Sequence, residues 1–222
     1  GAKLVSIASA GSVGIGTTDP LDVLHVVGDI RTSACASDGA GDVACVDVAE
    51  TFSVSDSMEA GDVVGIDESF QTTASRSFAI RKSGTGAQLM GIVSTSPAIL
   101  IEGNQARFGG PKVAGTYSPG DKAPVALVGR VPVKVSLENG PIATGDHLRS
   151  SSVPGVAMKA SNAGMTVGIA MESINTIASG SYSKILTFVN IGYWAPDAHS
   201  LTNTASSGEE TIIVTSGNAV TD

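Results

Sequence analysis

The sequence predicts an all-β fold, and its composition carries that prediction. Apolar residues make up 42% of the 222 residues and aromatic residues only 4%, so small and β-branched side chains, valine above all, supply most of the apolar content. Such side chains favour strands. The 27 glycines and 9 prolines are typical of turns between short strands. We therefore expect a strand-rich barrel or sandwich.

The charge balance and the hydropathy exclude several classes of protein. Lysine and arginine number 13 against 21 aspartates and glutamates, and the resulting net charge of -8 disfavours nucleic acid as a partner. Only 15% of residues are charged and the mean hydropathy is +0.23, which excludes the disordered class. The best apolar run, 123–135, is shorter than the roughly 18 residues of a membrane helix and is interrupted by prolines and charges. We expect neither nucleic acid nor a membrane span.

Residues 1–32 differ from the rest and predict an extended segment that packs on copies of itself. Residues 12–20 read SVGIGTTDP, an alternation of apolar residues and glycine that ends in a turn, and residues 21–30 read LDVLHVVGDI, a strand-like run. One strand and one turn cannot bury a core alone, and exposed apolar side chains are costly. The expected assembly surface consists of Val13, Ile15, Leu21, Val23, Leu24, Val26, Val27 and Ile30.

The run VGIGTTDPLDVLHVVGDI, at residues 13–30, resembles a linker motif of phage tail fibres and large bacterial surface proteins. In those families the motif lies just before a C-terminal domain, in an intertwined and usually trimeric shaft. The run departs from the motif at Asp22, where a small or neutral polar residue is more usual. The resemblance implies a fibre in which this segment joins subunits.

The two cysteines, Cys35 and Cys45, lie in a loop predicted over residues 33–45. The three histidines are far apart in sequence and adjoin neither cysteine, and zinc needs about four ligands, so we predict a disulfide. Two buried thiols and a metal site are the alternatives. A disulfide closing this loop would contribute about 3 kcal/mol and would indicate an oxidising, extracellular location. The chain begins at Gly1 without a leader segment, so we expect a processed or trimmed start.

Residues 46–195 contain an internal near-repeat. Three turns share a Gly-Asp pattern, at residues 59–62, 118–121 and 143–146. After the first turn come FAIRKS at 78–83 and GIVSTS at 91–96, and after the third come VAMKAS at 156–161 and GIAMES at 168–173, which gives offsets of 78 and 77 residues.

We interpret the near-repeat as two halves that close one barrel or sandwich with pseudo-twofold symmetry. Residues 61–96 and 145–173 should superpose. Ile80 should then match Met158 and Ile92 should match Ile169, with all four side chains in a common core. Between the two halves, Val131, Val133 and Val135 share one face of a strand, whose prolines predict an edge position or a bulge.

The region from VALVGRVPVKVSLENGPIATGDHL to VGIAMES, within residues 125–173, resembles the C-terminal domain of tail fibres and phage neck appendages. Some relatives of that domain are intramolecular chaperones that help to trimerise the fibre and then cut themselves off. The resemblance therefore implies an alternative function, a self-cleaving chaperone domain that matures a trimeric fibre. The expected scissile asparagine is missing, since no asparagine precedes residue 104.

Other candidate chemical groups favour ordinary structural roles. Ser150, Ser151 and Ser152 precede Lys159, a conceivable nucleophile and base, but serines here are typical of a turn. His25 is expected to face a neighbouring subunit or solvent, and His147 to lie satisfied at the surface. The acidic loop over residues 38–47 lacks the regular spacing of a calcium loop, and Glu209 and Glu210 point apart on a strand. We predict no catalytic residues, no metal and no cofactor.

The tail, residues 196–222, is polar and contains one strand candidate without an adjacent partner, with Ile212, Ile213 and Val214. Together these patterns predict a structural subunit of an extracellular fibre or filament, similar to a tail fibre, at the cell surface or on a virion. Its partner is itself, as a trimer or a head-to-tail filament joined through terminal strands. A carbohydrate-binding tip is disfavoured because so few aromatic residues are available to stack on sugar rings.

Overall fold

The structure is a computed structural model that describes residues 5–8, 11–28, 46–72, 77–108, 113–178, 180–196, 201–206 and 209–214. For residues 70–72, 77 and the last two ranges only the backbone is described. All regular secondary structure in this part of the chain is β, which confirms the predicted fold class. The chain divides into two compact units, Gly1–Ala34 and Cys35–Asp222.

Unit 1 contains three short strands, β1 (Val5–Ile7), β2 (Val13–Ile15) and β3 (Leu24–Val26). β2 is central and pairs antiparallel with β1 and parallel with β3. Gly14 allows this close packing, because a Cβ there would lie 2.5 Å from the Thr17 carbonyl oxygen. The predicted single strand and turn are therefore a small sheet.

Unit 2 contains the other fifteen described strands. In chain order they are β4 (Asp47–Val54), β5 (Met58–Glu59), β6 (Val63–Thr72), β7 (Ser77–Lys82), β8 (Leu89–Val93), β9 (Ile99–Glu102), β10 (Gln105–Phe108), β11 (Thr116–Tyr117), β12 (Lys122–Val135), β13 (His147–Ser150), β14 (Ala157–Lys159), β15 (Gly164–Ala170), β16 (Ser183–Trp194), β17 (Leu201–Ser206) and β18 (Glu209–Val214).

Five of these strands close the first barrel. Each strand pairs with the next in the order β4, β7, β6, β8, β12, and β12 pairs back with β4. Closure leaves no free sheet edge within the ring. The interior is filled by Val54, Met58, Val64, Ile80, Val93, Tyr117, Ala123 and Val125.

A second barrel closes in the same way, in the order β12, β14, β13, β15, β16 and back to β12. β12 is thus shared, with residues 122–129 in the first barrel and 129–135 in the second. The predicted bulge is present, between Ala126 and Val128. At Gly129 φ is +116°, and a Cβ there would lie 2.3 Å from the Val46 carbonyl oxygen, so only glycine fits.

The duplication is confirmed in the strand register. The central strand of each copy has the same two partners: Val64 pairs with Lys82 and Gly91, and Leu148 pairs with Lys159 and Gly168. The offset is therefore 77 residues, from 82 to 159 and from 91 to 168. The two copies do not combine into one barrel, since each closes on itself.

The matching of Ile80 with Met158 is wrong by one residue. Ile80 pairs in parallel with Val54 as Ala157 pairs with Val135, so Ala157 is the counterpart of Ile80. A shift of one residue moves a side chain to the other face of a strand, which is why the error matters. Ile80 and Ala157 are both fully buried inside their own barrels.

The predicted common core of four side chains is also wrong. Ile80 lies in the first core, whereas Ile92 packs with residues of the second, and Ile169 is only half-buried. The four side chains do not share a core because each copy forms its own closed barrel. A side chain that points out of its barrel is buried only where another surface covers it.

The three Gly-Asp turns have one geometry. The backbone N–H of the first residue donates to the carboxylate of the aspartate at 2.8 Å in each turn: Glu59 to Asp62, Ser118 to Asp121 and Ala143 to Asp146. The glycine before each aspartate has a positive φ of 93° to 95°. In each turn the aspartate therefore satisfies a backbone N–H three residues before it, and a strand, β6, β12 or β13, begins at the next residue.

The tail strand has a partner, contrary to expectation. β18 pairs antiparallel with β17, with Ile212 opposite Asn203 and Val214 opposite Leu201. The polar run before it forms the other arm of a hairpin, so one edge of β18 is hydrogen-bonded within the tail.

Candidate assembly surface

The predicted assembly residues of unit 1 expose most of their apolar surface. Leu21 is 84% exposed and Val23 is 75% exposed. Ile15, Leu24 and Val27 are also exposed, and Val13 and Val26 are half-buried. Ile30 lies outside the described residues. Three strands of three residues each provide no interior for these side chains.

Local hydrogen bonds explain why unit 1 has this shape. The Ser6 hydroxyl donates to the Thr17 carbonyl oxygen at 2.7 Å, and the Asp19 N–H donates to the Thr17 hydroxyl at 3.1 Å. The Leu21 N–H donates to Nδ1 of His25 at 3.3 Å, so this half-buried histidine takes a local bond. The turn satisfies several of its own polar groups, and the apolar Leu21, Val23 and Leu24 that follow it are exposed.

The remaining assembly and disulfide predictions stay untested. The backbone of Ile212, Ile213 and Val214 lies in β18, but their side chains are not described. Cys35, Cys45 and the rest of the loop 33–45 lie outside the described residues.

A cluster of charged side chains joins the two barrels. Lys134, on the part of β12 that belongs to the second barrel, pairs with Asp62 of the first barrel and lies 2.5 Å from the carboxylate of Glu59. The Tyr182 hydroxyl donates to Glu59 at 2.8 Å, and its ring lies 4.7 Å below the Lys134 ammonium group. Lys82 approaches Asp62 at 3.8 Å.

Two members of the cluster, Lys134 and Glu59, keep their charges at neutral pH. Burial alone would lower the pKa of Lys134, but its hydrogen bonds with Asp62 and Glu59 outweigh burial and raise it. The hydrogen bond from Lys134 lowers the pKa of the Glu59 carboxyl. Shifts in these directions favour permanent charge, whereas an acid or base catalyst needs a pKa near the working pH. The arrangement is suited to holding the barrels together.

Part of this cluster is duplicated. Asp146 pairs with Lys159 at 2.8 Å, at the positions equivalent to Asp62 and Lys82. Burial would raise the pKa of Asp146, but the hydrogen bonds from Lys159 and from the Ala143 N–H, together with nearby positive charge, outweigh burial and lower the pKa. Sequence reasoning missed both pairs. The signal available was a lysine at the same place in each copy.

The conceivable serine–lysine pair is not brought together. Ser150 bonds to the Ser83 hydroxyl at 2.7 Å, Ser151 donates to the Val153 carbonyl oxygen at 3.1 Å, and Ser152 donates to Glu138 at 2.8 Å. The ammonium group of Lys159 is paired with Asp146, as described above. Each hydroxyl therefore has another partner.

His147 is not the satisfied surface histidine that was expected. Its ring stacks on Trp194 with the centroids 5.0 Å apart, and its buried Nδ1 has no hydrogen-bond partner within the described residues.

The described residues do not include a group of three or more histidines, cysteines, aspartates or glutamates that could hold a metal ion. In the same part of the chain, no helix is long and apolar enough to cross a membrane.

Asp47, at the start of β4, is a buried carboxylate that sequence reasoning missed. It is 3% exposed, and Oδ2 has no hydrogen-bond partner among the described residues. Burial raises the pKa of Asp47 from 3.8 to about 6. The group therefore titrates in the mildly acidic range.

No model of a protein family matches the chain, and no curated protein matches it. The C-terminal fragment of gene product 12 of bacteriophage phi29 is similar in structure, at 16% identity and a TM-score of 0.44 over 65% of this chain and 100% of the fragment. The pre-mature form of that gene product is similar at 16% identity and a TM-score of 0.42, over 68% of this chain and 23% of that one. The likeness is to a bacteriophage protein and is coarse.

Proposed function

We propose that this chain is a structural subunit of an extracellular fibre or filament that associates with copies of itself through unit 1. The observation that carries the proposal is the uncovered apolar surface of unit 1, above all Leu21, Val23 and Leu24. Burying a side chain of this size contributes roughly 1.5–3 kcal/mol, so a second copy that covers the surface would gain several such terms. Exposed apolar patches of this kind mark interaction sites.

The position of these residues supports the same role. They follow the turn at Thr17–Pro20, in the run that resembles the linker of phage tail fibres and bacterial surface proteins. Such linkers lie in shafts of several chains, which is consistent with the exposed apolar side chains of the described part of unit 1. The proposal places the assembly at a cell surface or on a virion, as a closed trimer or an open filament according to whether the rotation between subunits closes.

A triple substitution tests the proposal without shortening the chain. Leu21→Ser, Val23→Ser and Leu24→Ser together should convert the assembly to a smaller species by sedimentation at micromolar concentration. Thr18→Ala, at an exposed polar residue of the same turn, is the control and should leave the assembly unchanged. A parent chain that sediments as a 22.2 kDa monomer, or a triple variant that assembles normally, would contradict the proposal.

The proposed role does not include catalysis. The hydroxyls of Ser150, Ser151 and Ser152 have partners other than Lys159, which supports this part of the proposal. The purified chain should therefore keep its full mass during prolonged incubation, as measured by mass spectrometry. A shorter product that accumulates with time in the absence of added protease would favour the self-cleaving alternative.

A further inference from the structure

Each barrel carries a row of three side chains that points away from its own core. Each row consists of three residues that lie directly opposite one another on three neighbouring strands. The middle residue of the second row lies 77 positions after the middle residue of the first. The first row consists of Val63, Ile92 and Ala126, and the second row consists of His147, Ile169 and Phe188.

The first row is buried by the second barrel. Val63, Ile92 and Ala126 are each 0% exposed and belong to the core cluster of the second barrel rather than to their own. β8, the strand of Ile92, contacts β15 and β16. The first row therefore covers one end of the second barrel, where the cluster includes Val167 and Val189.

In the second row Trp194 stacks on His147, but no described side chain covers Ile169 and Phe188 in the way that the second barrel covers the first row. Phe188 is 41% exposed between the buried neighbours Thr187 and Val189, so its ring points out of the barrel. Ile169, directly opposite, is only half-buried. Met165 and Tyr193 pair further along the same two strands and are also exposed, which extends the apolar surface.

The first barrel has a counterpart of the covered end. Met90 precedes Ile92 by two residues as Val167 precedes Ile169, and Leu127 follows Ala126 as Val189 follows Phe188. Val167 and Val189 are fully buried, but Met90 and Leu127 are only partly buried. One chain thus presents both an uncovered row and an incompletely covered end.

We propose that the second row is an interface for a second copy of this chain, and that it covers the Met90–Leu127 end of that copy's first barrel. The contact would repeat between chains the barrel-to-barrel packing that exists within one. The contact is heterologous, because it joins the second barrel of one chain to the first barrel of another, and successive chains therefore form a ring or a filament. This interface goes beyond the proposed function, because it lies on unit 2 and does not depend on the N-terminal segment.

The charged cluster is not repeated at this interface. In the first barrel the position equivalent to Lys134 is occupied by Ser53. The two are equivalent because Ser53 pairs with Lys122 in the first barrel as Lys134 pairs with Lys184 in the second. Without a counterpart of Lys134 the contact has no ion pair that joins the two chains, and the Asp146–Lys159 pair stays within the covering barrel. The strength of the contact should therefore depend little on salt, unlike a contact made by exposed charges.

A photocrosslinking experiment tests the assignment on the full chain. Benzoylphenylalanine replaces Phe188, and labelled and unlabelled chains are mixed, assembled, irradiated and analysed by mass spectrometry. The expected product joins residue 188 of one isotopic form to a peptide that contains residue 90 or 127 of the other. Crosslinks only within one chain, for example to the hairpin at 201–214, or a protein that stays monomeric, would overturn the proposal.

A charge substitution gives an independent measurement. Phe188→Lys should weaken self-association at least tenfold in sedimentation equilibrium while leaving the unfolding midpoint in urea unchanged, because the ring lies outside the core. Val153→Lys, at another exposed apolar residue of unit 2, is the control and should have no effect. If Phe188→Lys has no effect while the triple substitution in unit 1 dissociates the assembly, this interface is wrong and the proposed function stands. The opposite result would reject the role of unit 1 and keep this interface.

Discussion

Ile92 and Ile169 occupy the same position in two copies of one barrel, yet Ile92 is fully buried and Ile169 is half exposed. Their partners across the next strand differ in the same sense, since Ala126 is buried and Phe188 is exposed. The difference does not arise within either barrel. It arises because the second barrel covers the first and no described part of the chain covers the second in the same way.

The buried ion pairs at the junction of the barrels should matter more for stability than their exposed counterpart. Lys134→Met leaves Asp62 buried without its closest partner, so we expect a loss of about 3–5 kcal/mol in the free energy of unfolding in urea. Lys159→Met removes the equivalent and more exposed pair with Asp146 and should cost about 1 kcal/mol or less. Equal losses for the two variants would show that the junction does not depend on Lys134.

Asp47 should make the protein less stable as the pH rises from about 4 to about 6. The folded state binds the proton of this carboxyl more tightly than the unfolded state, because burial raises its pKa from 3.8 to about 6. A difference of about two pKa units corresponds to about 3 kcal/mol, present below pH 4 and lost by pH 6. Asp47→Asn should remove this part of the pH dependence in urea titrations. Parallel curves for the two proteins would contradict the assignment.

Gly129 should tolerate alanine far less well than another glycine of similar backbone conformation. Both Gly129 and Gly140 have a positive φ, which costs an alanine about 1 kcal/mol. At Gly140 a Cβ meets open space, but at Gly129 it meets the backbone of Val46 and Asp47 at 2.3–2.5 Å. We expect Gly129→Ala to destabilise unit 2 at least twice as much as Gly140→Ala, measured by thermal unfolding. Similar losses would mean that β4 can move away.

The Cys35–Cys45 disulfide remains a prediction from the sequence. The native chain should be two hydrogens lighter than its reduced form by mass spectrometry, and reduction should cost about 3 kcal/mol if the loop between the cysteines is closed in this way. Thiols that react with an alkylating reagent in the air-handled native protein would rule the disulfide out.

Several features followed from the sequence alone because they depend on short-range chemistry. Valine-rich alternation predicted the strand around Val131–Val135, and glycine with aspartate predicted three turns whose geometry is the same. The duplication was also visible, to within one residue. These features need only the local preferences of a few neighbouring residues.

Other features were decided by the tertiary structure. The match of Ile80 with Ala157 depends on strand register, and the pairing of Lys134 with Asp62 joins residues 72 positions apart. Each copy could form its own barrel, or both copies could form one barrel together. The long-range strand pairings decide between these outcomes, and the local alternation of apolar and polar residues does not encode them. The two outward rows occupy equivalent positions but differ in burial, because burial also depends on contacts between residues that are distant in sequence. A strand's period determines which side chains share a face, but only the neighbouring barrel determines whether that face is covered.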